Sequence, residues 1–375
     1  MAFGDFFGNY AQWIDFGGFG KSGYGVLYFP AAYLFLQFII WITGDWRELA
    51  LILSLSVWIF GSVFFAFKFL KGKGFILTLI MIAMILLSYP SLFIFHTGNL
   101  EGWIGFFILA AGVSASKNKW NHFAIFIGIA AACKGVPLVF ALVPFVVLNF
   151  KHAFVVFTKI LTVLFLVTLL SLVVLPGGYL SDGFNGIDLA IRGILASQEK
   201  YSELMVNSAA GIHYGHSFLN AVHAIFGMEV LPPELWGPII FWIFVLILGL
   251  LLVLQKFSGA ELWVIFLGIS SVACVGMATS TDYKLIYLAT PLLIATESKF
   301  QSWTTRILLF SIIFAMSSKP YIYLGIDPFG NATVYLTALS LILMIITCYA
   351  DAITSIYELR TKKNSLRNKN QLNCY

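Results

Sequence analysis

Residues 236–254 read WGPIIFWIFVLILGLLLVL, nineteen positions without one charged side chain. A helix of that length is about 28 Å long, close to the ~30 Å hydrocarbon core of a bilayer. Comparable apolar runs fill 49–67, 75–95, 153–175 and 331–350, and shorter ones fill 26–43, 102–116, 123–133, 136–149, 260–279, 285–297 and 307–318. The 375-residue chain is 60% hydrophobic and only 10% charged, whereas a soluble domain carries about a quarter charged residues. Water therefore cannot be its main solvent. The expected fold class is all-α: a polytopic helical membrane protein with about ten transmembrane or re-entrant helices. One membrane-embedded domain takes up residues 1–350, and 351–375 form a basic, cytoplasmic tail.

Several function classes drop out on composition. The net charge of +5 is scattered between apolar segments, which gives no surface for nucleic acid. Cys133, Cys274 and Cys348 sit in apolar runs and Cys374 lies in the tail; no spacing suggests a zinc site or a disulfide framework. Met1 to Tyr24 lacks the basic flank and apolar run of a secretory signal. No Gly-rich phosphate loop, Walker motif or nucleophile elbow occurs, so no cofactor is expected.

Lys and Arg in short loops favour the cytoplasm. One assignment places 14 of the 22 basic residues there, among them Lys68, Lys73, Lys117, Lys119 and the tail from Arg360. The acidic residues then gather on the opposite face, with Asp5, Glu101 and Asp282 among them. Under this assignment 26–43 begins and ends on the outer side, as a juxtamembrane or re-entrant element. A large external loop covers about 177–235. The tail is expected to be solvated or to touch anionic membrane lipid. The Phe- and Lys-rich composition is compatible with a bacterial inner membrane.

Five polar clusters on that outer face could carry chemistry. Asp5 lies beside Phe6, Phe7 and Tyr10, as a general base or as a mere helix cap. His96, Asn99 and Glu101 crowd one turn after Tyr89-Pro90, more polar chemistry than a turn alone requires. Lys134 interrupts an apolar run at Lys134-Gly135-Val136-Pro137, which suggests two half-helices meeting inside the protein. A charge at that depth faces a cavity or a partner, so Lys134 binds an anion such as phosphate, forms a structural ion pair or snorkels to the interface. Asp282 and Lys284 pair with each other or bind sugar hydroxyls and phosphate. His213 and His216 are three apart, but Gly215 between them and the lack of a third ligand point to hydrogen bonding rather than metal.

These clusters, in this order, resemble the integral membrane glycosyltransferases of the GT-C superfamily, and most of all the polyprenol-phosphate-mannose-dependent mannosyltransferases of glycosyltransferase family 87. Asp5-Phe6 through Tyr10 is similar to that family's acidic-aromatic first external loop, and Tyr28-Phe29-Pro30 to the aromatic-Pro element that follows. Gly98-Asn99-Leu100-Glu101 resembles its Gly-Gln/Asn-x-Asn/Glu signature. Lys134 to Pro137 looks like its Lys and Pro in a broken helix, and Ser280 to Lys284 like its late Ser-x-Asp-x-basic stretch.

The resemblance implies transfer of a hexose, mannose first, from a polyprenyl-phosphate donor to a lipid or glycan acceptor on the non-cytoplasmic face. It implies inversion at the anomeric carbon, no metal, and Asp5 as the catalytic base. Lys134 and Lys284 would meet the donor phosphate, and His96, Asn99, Glu101, His216 and Asp282 would be candidates for sugar or acceptor contacts. The family places a membrane span ahead of the acidic loop, whereas here the chain starts four residues before Asp5. The expectation is that this sequence lacks a first span, which would leave Asp5 poorly anchored. The rival readings are a transporter or lipid flippase, which would share the broken helix, and a non-catalytic membrane subunit.

Overall fold

The computed structural model of the chain describes residues 6–7, 28–44, 46–174, 192, 215–227, 230–277, 282–298, 302–317 and 332–372. Among these residues the protein is all-helical, with no strand. Four helices are long and apolar enough to cross a membrane, or five if one bent pair is taken as a single span. The architecture is consistent with a helical membrane protein. Most of the expected external loop of about 177–235 lies outside the described residues, namely 177–214 apart from residue 192, and 228–229.

The chain order explains the packing. Helix α1 (Pro30–Thr43) begins on a proline, whose missing N–H costs nothing at a first turn. Then come α2 (Arg47–Phe69), α3 (Phe75–Leu86), α4 (Tyr89–Thr97), α5 (Glu101–Ser116) and α6 (Trp120–Cys133). A 3-10 helix (Val136–Leu142) and the short α7 (Val143–Val147) follow, and then α8 (Phe150–Val174). The second half holds α9 (Phe218–Phe226), α10 (Pro233–Ser258), α11 (Leu262–Val275), a second 3-10 helix (Asp282–Leu288), α12 (Ala289–Ala295), α13 (Trp303–Ser317) and α14 (Ala332–Leu372).

Two helices form the centre. α11 is buried at every position but Leu262, and α5 is buried from Glu101 to Gly105 and again from Ile108 to Ala115. Around them the long helices turn apolar side chains outward: Trp242, Leu246 and Leu250 on α10, and Phe165, Leu166, Leu170 and Val173 on α8. On α10 those exposed positions recur every four residues, while Ile240, Phe244, Leu248 and Leu251 face inward. An apolar surface of this extent marks a face for contact with membrane or with protein. Lys159, within α8, gives its ammonium to Asn121 of α6 at 2.7 Å.

The run 75–95 is not one straight helix. α3 and α4 bend by 53° at Leu87–Ser88, just before Pro90. There Ser88 and Ser91 both donate their hydroxyls to the Ile85 carbonyl, at 2.7 and 2.6 Å, and the indole of Trp58 donates to Ser91 at 3.1 Å. α14 also runs past the expected boundary at 350 without a break, because no Gly or Pro occurs from residue 332 to 372 to stop it.

α5 and α6 form a hairpin across Lys117–Lys119, so the start of α5 lies beside the end of α6. At the opposite end of α5, Lys117 reaches the Lys68 carbonyl at 3.2 Å. Against α5 lies the 282–295 segment. A Cβ at Gly112 would stand 2.2 Å from Thr290 Cγ2, so glycine is what lets these two elements approach. That approach brings Tyr287 to Glu101.

Candidate functional site

The site forms where α6 stops. In a continuous helix the Cys133 carbonyl would accept from residue 137, but residue 137 is proline. The carbonyl instead takes the backbone N–H of Phe29 at 2.9 Å. Lys134 is therefore extended (φ −162°, ψ 135°), and the Tyr28-Phe29 segment is stitched alongside it.

The Lys134 ammonium lies 2.7 Å from Glu101 Oε2 and is flanked by the rings of Tyr28 and Tyr283, whose centres are 5.2 and 4.9 Å away. Both rings are within the ~6 Å over which an aromatic face attracts a cation. Glu101 is 0% exposed. Its second oxygen accepts the hydroxyl of Tyr287, and its backbone N–H donates to Asn99 Oδ1 at 2.8 Å. The same Asn99 oxygen accepts the Tyr28 hydroxyl at 2.6 Å. Asn99 is thus a joint between the segment that enters α1 and the turn that starts α5.

That turn depends on Gly98, which caps α4 with a left-handed backbone (φ +69°). A Cβ there would come within 2.6 Å of Phe6 Cβ, so the buried Phe6 sits directly against the turn.

Lys134 opens onto a cavity of about 550 Å³, a volume that suits a small-molecule or lipid-headgroup ligand. Its polar end is made by Tyr28, Lys134, Tyr283 and Lys284. Its other walls are apolar: Val136 and Val139 of the first 3-10 helix, Phe241, Phe244, Val245 and Leu248 of α10, and Val272, Ala273 and Met277 at the end of α11. Lys284 is only 4% exposed, and it shares this cavity with Lys134.

The structure brings together part of the set expected from sequence. Lys134 and Lys284 line the cavity, while Asn99 and Glu101 stand directly behind Lys134. Asp282 opens the second 3-10 helix, two residues before Lys284; its side chain is outside the described residues. His96 is exposed on the last turn of α4 and is not a cavity residue. His216 is fully buried before α9, next to the capping Ser217, and does not line the cavity either. Asp5 lies outside the described residues, as does His213. Among the described residues no three His, Cys, Asp or Glu side chains group as metal ligands.

Sequence reasoning missed Tyr287, which sits in the apolar run Leu285–Leu288 and finds Glu101 from 186 positions away. Tyr28 and Tyr283 were visible only as neighbours of other motif residues; their packing around a cation needs the fold. The comparison with models of known protein families finds no match to this chain, nor does the comparison with curated proteins.

Proposed function

We propose that this chain is a membrane-embedded glycosyltransferase of the GT-C type, which moves a hexose, mannose first, from a polyprenyl-phosphate donor to a lipid or glycan acceptor. The observation that supports this reading is the polarity of the cavity. Two lysines and two tyrosines meet at one end, and aliphatic and aromatic side chains from α10 and α11 cover the rest. A lipid phosphate has the same division, an anionic head on an apolar chain. A nucleotide sugar would leave the apolar wall without a partner.

In this reading the phosphate of the donor lies against Lys134 and Lys284, with its first isoprene units along Phe241, Phe244 and Leu248. Asp5 takes the proton of the acceptor hydroxyl as that oxygen attacks the anomeric carbon. The bond from that carbon to the phosphate oxygen breaks, and the polyprenyl phosphate leaves with the electron pair, its charge facing the two lysines. The configuration inverts and no metal takes part. The ten or so apolar segments cross or re-enter a cell membrane, of bacterial inner-membrane type, with the site on the non-cytoplasmic face.

Membranes containing the chain, given radiolabelled polyprenyl-phosphate-mannose, are expected to transfer label to a lipid or glycan acceptor. Asp5→Asn and Lys134→Met are each expected to abolish that transfer. Label that crosses the bilayer without being transferred would instead favour a lipid flippase, which the same amphipathic cavity could serve. Neither transfer nor movement of label from any polyprenyl donor would leave a non-catalytic subunit.

A further inference from the structure

We infer that Glu101 sets the charge selectivity of the cavity: it positions Lys134, and its fixed negative charge favours a singly charged phosphodiester over a doubly charged phosphomonoester. This rests on the lipid-phosphate reading above and adds a role that the reading does not contain.

Glu101 is completely buried and does not line the cavity, so it cannot touch the ligand. Three contacts fix it: Lys134 on one oxygen, Tyr287 on the other and Asn99 on its backbone N–H. Its charge therefore sits in one place, 2.7 Å from the ammonium that faces the cavity and shut off from bulk solvent, where salt screening is weak. The interaction of that carboxylate with a bound anion scales with the charge of the anion. Whatever other charges surround the cavity, Glu101 disfavours a dianion about twice as strongly as a monoanion.

The two lipid species in the proposed reaction differ in just this respect. The sugar-linked donor is a phosphodiester with a single negative charge. The spent carrier is a phosphomonoester, with about −1.5 to −2 at neutral pH. Lysines alone would hold the spent carrier more tightly than the donor. A carboxylate tied to one of them offsets that preference and lets the product leave.

The test uses the purified full chain in detergent, with farnesyl phosphate and its methyl phosphodiester as probes and calorimetry as the readout. Wild type is expected to bind the diester at least as tightly as the monoester. Glu101→Gln is expected to shift the ratio of the two dissociation constants about tenfold toward the monoester. Tyr287→Phe keeps the charge and loosens only the brace, so both ligands are expected to weaken together with their ratio unmoved. A residue of purely structural importance would leave the ratio unmoved in Glu101→Gln too, and that result overturns the inference. So does a wild-type protein that prefers the monoester tenfold, a measurement that stands even if Glu101→Gln does not fold. Binding of neither probe by wild type would remove the lipid-phosphate reading itself, and this inference with it.

Discussion

The break before Pro90 and the break before Pro137 each leave a carbonyl that the helical ladder no longer serves: that of Ile85, whose helical donor would be Tyr89, and that of Cys133, whose helical donor would be residue 137, a proline without an N–H. Before Pro90 the repair is neutral: two serine hydroxyls cover the Ile85 carbonyl, and Trp58 ties the second serine to α2. Before Pro137 the repair comes from a distant piece of chain, the Phe29 N–H, and the residue released is a lysine. The space beside the first break is a smaller pocket, lined by Ala83, Met84, Leu87, Leu292, Ile313 and Met316 with only serines for polarity. The space beside the second has two lysines at one end. A helix break becomes a candidate site when its repair brings charge to a cavity wall, and remains a joint when hydroxyls close it.

The largest effect is expected at the charged break. Lys134→Met leaves Glu101 buried without its cation, at a cost of about 3–5 kcal/mol. Heating the variant in detergent and measuring the fraction that stays monodisperse would show it. Combining Lys134→Met with Glu101→Leu is expected to restore most of that stability and none of the sugar transfer. Recovery of transfer in the double variant would break the contrast, because the pair would then be structural only.

Gly98→Ala comes next. An alanine at φ +69° costs about 1–2 kcal/mol, and its Cβ also collides with Phe6 Cβ at 2.6 Å. Since the turn aims Asn99 and Glu101, this variant is expected to lose both stability and transfer. Ser91→Ala tests the neutral break. It leaves the Trp58 indole without its acceptor, for about 1–3 kcal/mol in the same heating assay. The KM for the polyprenyl donor is expected to stay at its wild-type value. Tyr28→Phe is the mildest change, about 1 kcal/mol for one hydroxyl whose acceptor keeps a second donor. A few-fold rise in KM with kcat unchanged is expected, because the ring beside Lys134 remains.

The contrast between the breaks also marks how far sequence could go. The break at Lys134 was legible because a charge, a glycine and a proline interrupt an apolar run within four residues. The partner of that charge was not. Glu101 was visible as a polar residue in a polar turn, but nothing local couples it to Lys134, 33 positions on, or to Tyr287 at 186. The run 75–95 read as one segment because its apolar character is continuous through Ser88, and hydropathy carries no information on bend angle. The wide outline, all-helical with spans of bilayer length, followed from composition and segment length. The cavity depends on which faces of α10 and α11 meet, and segment length is silent on that.

The hairpin of α5 and α6 has a consequence for how the chain is made. Its two ends carry Glu101 and Lys134, and its turn carries Lys117 and Lys119. A nascent hairpin that entered a bilayer with either end charge alone would meet a steep penalty. Pressed together, the carboxylate and the ammonium form a neutral pair, and that penalty does not arise. The contact that holds Lys134 at the cavity wall is thus also what lets the two helices be buried as one unit.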